Sequence, residues 1–255
     1  MGKLSRIHVW VTVGAVLLIP FRVSLAATKS GETMLQQAAK ENKHLVVLAW
    51  SSDDDTTKKL KALLGRARTS MATRALFHEL KTSNATENGF VRRYQLAKAP
   101  LPLILVFAPN GVMVKAYVQK VVDEKTLATS FASPTLAKVL KLLQDGKLVL
   151  LCVQSKTTRH NAESLKAAQG AAADKRAGGQ IRTVQLDPSD RACADLVAKL
   201  KVSASVQEAA IHIVVPPGTI AGVVKGATTP TAVWAAIAQA VSACSGGGCG
   251  PGGCG

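Results

Sequence analysis

The sequence predicts an α/β protein of two tandem units, each a central mixed sheet flanked by helices, followed by a disordered Gly/Cys tail. Three observations predict it. Continuous apolar runs of strand length, HLVVLAW at 44–50 and LPLILVF at 101–107, alternate with stretches of helical spacing, the pattern of strands buried on both faces. The same order of segments returns in the second half. The last twelve residues hold seven glycines and three cysteines and no side chain able to build a core. The length of 255 residues suits two domains, and 47% hydrophobic residues suit a globular chain.

Along the first half, residues 32–42 (ETMLQQAAKEN) have helical spacing, with Met34, Leu35 and Ala38 on one side, and lead into the strand at 44–50. Residues 51–55 (SSDDD) open a helix that runs to about 64, with Ser52 or Asp53 as its cap. Helical stretches are expected over 71–81 and about 87–94. The strand at 101–107 turns through Ala-Pro-Asn-Gly at 108–111 into a partner at 112–118, which predicts a hairpin. A closing helix is expected over 134–144.

The second half repeats this order. Residues 147–153 (KLVLLCV) lie over 44–50 at an offset of 103, residues 196–202 over 90–96 at 106, and residues 211–218 (IHIVVPPG) over 104–111 (ILVFAPNG) at 107. An offset that drifts by only four residues is the signature of a repeated unit. The expected organisation is a signal peptide at 1–26, one domain at 27–145, a second at 146–243 and a flexible tail at 244–255.

Residues 1–26 carry the parts of an export signal: Lys3 and Arg6, an apolar run over 9–21, and Ser24-Leu25-Ala26 as a small-x-small cleavage site. The other reading is an anchoring helix, but the run is too short to span a bilayer, and Pro20 and Arg22 interrupt its continuation. No transmembrane span is expected in the mature chain, and the location is periplasmic or extracellular. The net charge of +16 falls to +13 when the three basic residues of that segment are removed, and both halves are basic. The partners that this charge fits outside the cytoplasm are envelope polymers, lipid headgroups or acidic proteins, unless the surface is simply alkaline. Nucleic acid is not expected, because 4% aromatic residues leave few stacking platforms.

An apolar strand, a helix opening where it ends, a short turn into a proline that begins a strand-Asn-Gly-strand hairpin, and a final helix form the thioredoxin order. The chain resembles two tandem thioredoxin-like domains, most specifically over residues 94–111 (YQLAKAPLPLILVFAPNG), where Pro102 stands at the place of the family's cis-proline. The resemblance implies an active site at the start of the helix after the first strand, where a Cys-x-x-Cys pair would lie. Here the matching positions are Asp53, Asp54, Asp55 and Thr56 in the first unit and Lys156, Thr157, Thr158 and Arg159 in the second. None is cysteine. Ala209 stands where the first unit has Pro102. The expectation is a redox-inactive binding or scaffold protein, with the groove at Leu101 and Pro102 taking an extended peptide of an envelope protein.

Other candidates each carry more than one reading. The Asp53–Asp55 cluster is either a hard-cation ligand set or the acidic start of a helix. Lys156, Arg159 and His160 are either an anion site at a helix start or a solvated turn. Cys152 and Cys193 read as small core residues, with a bridge between them left open, and His212, inside a strand, reads as structural. Cys244, Cys249 and Cys254 join disulfides, to another chain among others, or hold a soft metal such as Cu(I) or Zn, or belong to a flexible tail with neither role. The rival function is a thiol-disulfide oxidoreductase or metal-handling protein that uses these tail cysteines.

Overall fold

A computed structural model describes residues 29–119, 122–202 and 206–245. The first unit begins with α1 (Gly31–Lys40), capped by Ser30, whose hydroxyl accepts from the Thr33 amide at 3.3 Å. It continues through β1 (His44–Trp50), α2 (Asp55–Ser70), β2 (Ala75–Lys81), α3 (Asn88–Arg93), β3 (Leu103–Phe107), β4 (Met113–Val118) and α4 (Glu124–Ala128). The second unit runs α5 (Pro134–Gln144), β5 (Leu148–Val153), α6 (Asn161–Ala173), β6 (Ile181–Leu186), α7 (Ala194–Lys199), β7 (Ala210–Val215), β8 (Thr219–Lys225) and α8 (Pro230–Ser245).

Each unit holds one four-stranded mixed sheet, in the orders β2-β1-β3-β4 and β6-β5-β7-β8. In both, the first two strands are parallel and the last two form an antiparallel hairpin on the other side. The fold is α/β, two tandem thioredoxin-like units. The alternation of side chains along each strand divides its core into two faces. In the first unit Leu45, Val47 and Leu105 face α1 and α3, while Val46, Leu48 and Ile104 face α2 and the Leu127 end of α4. In the second, Val149 and Leu151 face α5 and α7, while Leu150 and Cys152 face α6 and α8.

Residues 71–81 depart from the helical expectation. The segment ALFHELK has helix formers, but it lies parallel to β1 from His44↔Ala75 to Trp50↔Lys81 and buries Ala75, Phe77 and Leu80, so tertiary pairing overrides local propensity. Helix α2 also starts later and runs longer than expected, and its cap is Asp54, accepting from the Thr57 amide at 2.7 Å, rather than Ser52 or Asp53. Helix α5, expected to close the first unit, packs its Leu136, Ala137, Val139 and Leu143 into the core of β5 and β6, with Ala108, Val112 and Ala132 of the first unit at its margin. It stands to the second sheet as α1 stands to the first. The closing helix of the first unit is the five-residue α4, and that of the second is α8.

The export segment at 1–26 lies outside the described residues, as do Cys249 and Cys254. Cys244, expected in a flexible tail, falls on the last turn of α8. Among the described residues, no helix is long and apolar enough to cross a membrane.

Candidate functional site

The loop from β1 to α2 takes four residues, 51–54, and the side chains of its two aspartates are already engaged, while Asp55 opens the helix with its side chain exposed. Asp53 pairs with Lys61 at 2.7 Å, Asp54 caps the helix and accepts from the Ser52 hydroxyl at 3.2 Å, and Asp55 lies 3.7 Å from Lys58. The Lys61 hydrogen bond holds the Asp53 carboxyl below its ordinary range, and the Thr57 amide does the same for Asp54. Thr56 is half-buried on the first turn. Among the described residues, no group of three His, Cys, Asp or Glu side chains is placed to hold a metal ion. The Lys61 ammonium also sits 3.7 Å from the centre of the Trp50 ring.

The Leu101–Pro102 peptide is cis, directly before β3. Pro102 is buried and Leu101 half-buried. Gln119, just past β4, holds the segment from the far side: its amide donates to the Pro102 carbonyl at 2.9 Å, and its side-chain Nε2 to the Leu101 carbonyl at 3.1 Å. Pro100 has no N–H. The Leu101 amide meets no acceptor among the described residues, so one backbone donor stands open beside the half-buried Leu101 side chain.

The equivalent place in the second unit is built differently. Seven residues, 154–160, separate β5 from α6, and the helix starts at Asn161 rather than at 156–159. A turn ties the extra length down. The Ser155 amide donates to Thr158 Oγ1 at 2.9 Å, Asn161 Nδ2 donates to the Ser155 carbonyl at 2.7 Å, and Thr158 is buried while Lys156 and Thr157 are exposed. Past the turn the chain crosses the start of β7. The Arg159 amide donates to the Gln207 carbonyl and its carbonyl accepts from the Ala209 amide, each at 2.9 Å, as a parallel bridge opposite Glu208. The Arg159 guanidinium then pairs with Glu208 at 3.0 Å. Lys156, Arg159 and His160 therefore do not form the anion site that a helix start at 156–159 would give. His160 sits at the helix entrance in left-handed backbone with no side-chain cap bond.

Cys152 and Cys193 are both buried and both free. They lie in the cores on opposite faces of the second sheet, so no bridge joins them. Burial pushes the Cys152 thiol up to about 12 and raises that of Cys193, which makes each a poor nucleophile. Two groups escape a reading of the sequence by motif. Glu87, in a one-turn 3-10 helix at Ala85–Glu87, is 2% exposed and bonds both the Gly31 amide and His78 Nε2 at 2.8 Å. His212, read as structural, has no partner for its buried Nδ1.

Neither a family model nor a curated protein matches the sequence. Solved structures similar to parts of the chain include a thioredoxin from Fasciola hepatica, at 8% identity over 40% of this chain and 92% of that one with a TM-score of 0.33. They also include thioredoxin O2 from Arabidopsis thaliana in the oxidized state, at 12% identity over 38% and 80% with a TM-score of 0.31. A mutant thioredoxin from Halobacterium salinarum matches at 16% identity over 39% and 81%, again with a TM-score of 0.31. The functional reading rests on the residues above and not on these likenesses.

Proposed function

We propose that this thioredoxin-like chain is an exported, redox-inactive binding or scaffold protein whose first unit takes an extended peptide along Pro100–Pro102. The observation that carries the reading is the contrast between the two units. In the second, the chain lays its own Arg159 against Gln207–Ala209 through two backbone hydrogen bonds, which supports an extended strand as the right occupant for that edge. In the first, the short loop supplies no such strand, and the Leu101 amide is left for a partner. Cysteine is absent from both helix starts, and no Cys-x-x-Cys occurs in the sequence, so dithiol exchange by the family's route has no thiols to run on. Export by residues 1–26, and disulfide or soft-metal contact through Cys244, Cys249 and Cys254, belong to the same proposal. The partner is a protein or peptide of the cell envelope.

The test is a selection of extended peptides from a random library on the purified mature chain, mapped by amide chemical shifts. Selected peptides should perturb Leu101 and Gln119 and leave 207–209 unmoved, and Leu101→Pro, which deletes the open amide, should weaken them by about tenfold. Perturbations elsewhere would sink the peptide groove. Insulin reduction that disappears when 244–255 are deleted would replace the scaffold by the rival oxidoreductase.

A further inference from the structure

The second unit contains a cavity of about 500 Å³ at the end of its sheet where β5 stops, on the α7 side. Three features of its wall belong together. His212 of β7, paired with Leu151 and Val223, is 8% exposed, and its Nδ1 is buried with no hydrogen-bond partner. Two lysines, Lys201 after α7 and Lys225 on β8, line the same cavity, and neither has an acidic partner among the described residues. The remaining wall is largely apolar, Val153 and Val223 among it.

Each feature narrows the class of occupant. An unpartnered polar nitrogen inside a protein costs free energy unless something hydrogen-bonds it. A cation is disfavoured by the lysines: Glu208 lines the cavity too, but Arg159 pairs with it at 3.0 Å, so the charge left over is positive. A bare, strongly hydrated anion would gain nothing from the valines. A ligand with one acidic head and a short hydrocarbon body suits the lysines, the apolar wall and the His212 ring that lines the cavity, and the volume falls in the range of small-molecule sites. We propose that this cavity binds a small aliphatic carboxylate, with His212 and Lys225 holding the carboxylate and Lys201 adding charge at the mouth. The proposal is independent of the peptide groove, which lies in the other unit.

Burial and the neighbouring Lys225 hold the His212 imidazole below its ordinary pKa, so it is a neutral donor at pH 7, able to offer one N–H to an oxygen. The charged groups around it are Arg159 and Glu208, paired with each other, together with Lys201 and Lys225. The repeat shows that the histidine is not a requirement of the fold. Its counterpart in the first unit is Leu105, buried in the core of that unit.

The experiment titrates the full chain with hexanoate, hexanamide and inorganic phosphate while observing the imidazole signals, His212 being assigned with a His212→Leu variant. Hexanoate should shift the His212 signals saturably. Hexanamide and phosphate should each bind at least about tenfold more weakly, the equivalent of ~1.4 kcal/mol. Lys225→Met, an exposed edge-strand change that leaves the core intact, should weaken hexanoate by a similar factor without altering the melting temperature. Three results would overturn the proposal: no saturable shift at His212 with hexanoate, hexanamide or phosphate binding as tightly, or hexanoate binding unchanged in Lys225→Met.

Discussion

The first helices of the two units solve one problem in two ways. Helix α1 begins with Gly31, whose amide points into the core and needs an acceptor. Glu87 supplies it at 2.8 Å and is itself held by His78, a buried polar trio joining α1, the 3-10 turn and β2. Helix α5 begins with Pro134, which has no N–H. At the matching positions the second unit carries Cys193 and Val184 in place of Glu87 and His78. Where the amide is absent, the carboxylate and its partner are absent too. Sterics set Gly31 apart as well: a Cβ there would come within 2.7 Å of the Phe90 ring, whereas Pro134 is exposed and the position matching Phe90 is the smaller Leu196. The lesson is that a buried charge in one copy of a repeat can answer a single backbone atom, and that its conversion to a thiol in the other copy is no sign of redox chemistry.

Cutting the chain breaks the comparison most severely. If α5 is to the second sheet what α1 is to the first, a fragment 133–255 should unfold cooperatively in urea. A fragment 146–255 should not, because it exposes the surface that Leu136, Val139 and Leu143 cover. Each such side chain is worth about 1.5–3 kcal/mol of burial, so the loss rivals the whole stability of a small domain. Cooperative unfolding of 146–255 with an undiminished midpoint would place α5 with the first unit instead.

Next in size is the polar trio itself. Glu87→Ala orphans the Gly31 amide and the His78 ring together and should cost about 3 kcal/mol by urea denaturation, whereas Cys193→Ala, which removes only a small buried thiol, should cost about 1 kcal/mol. Equal losses would mean that Glu87 is a space-filler. Gly31→Pro should then cost about 2 kcal/mol through the Phe90 collision and the stranded carboxylate. Combined with Phe90→Leu it should cost less than the sum of the two single changes, since the pair copies the second unit; strict additivity would refute the steric half of the argument.

How much of this could be read from the sequence follows from what each feature depends on. The strands β1, β3, β5 and β7 are legible because burial on both faces writes a continuous apolar run, and the β3–β4 hairpin because Asn110-Gly111 writes its turn. Strand β2 is not, because ALFHELK is a strand only by virtue of β1 beside it. The allegiance of α5 is hidden for a similar reason: its apolar stripe shows that it buries a face, not against which sheet. At the candidate sites, the missing cysteines are plain in the sequence. The Arg159 bridge and the cavity at His212 are not, since both are made by residues some fifty positions apart meeting across the start of β7. The structure sets β5 over β1 at an offset of 104 rather than the expected 103, because Leu45 and Val47 share the α1 face as Val149 and Leu151 share the α5 face; the rise to 106 at β2 and β6 reflects the longer loop at 154–160.

The smallest expected effect concerns half-buried His44 and buried His212, each of which stands where the other unit has leucine: His44 matches Leu148, and His212 matches Leu105. His44 opens β1 with its ring stacked on Phe131 at 4.6 Å and its Nε2 buried without a partner. Burial is the main cause that lowers its pKa from the ordinary 6.5, with the Arg74 charge adding to it, and burial does the same to His212. The folded chain therefore holds these imidazoles neutral in a pH range where the unfolded chain protonates them. Below pH 6.5 the unfolded state binds more protons, so stability, complete above that value, falls as the solution is acidified. One such group contributes at most about 1.4 kcal/mol per pH unit. Urea midpoints at pH 7.5, 6.5 and 5.5 should fall for the native chain, fall less for His44→Leu or His212→Leu, and fall least for the double variant. A decline of the same steepness in all four would assign the acid sensitivity to other groups and remove the histidines from this part of the comparison.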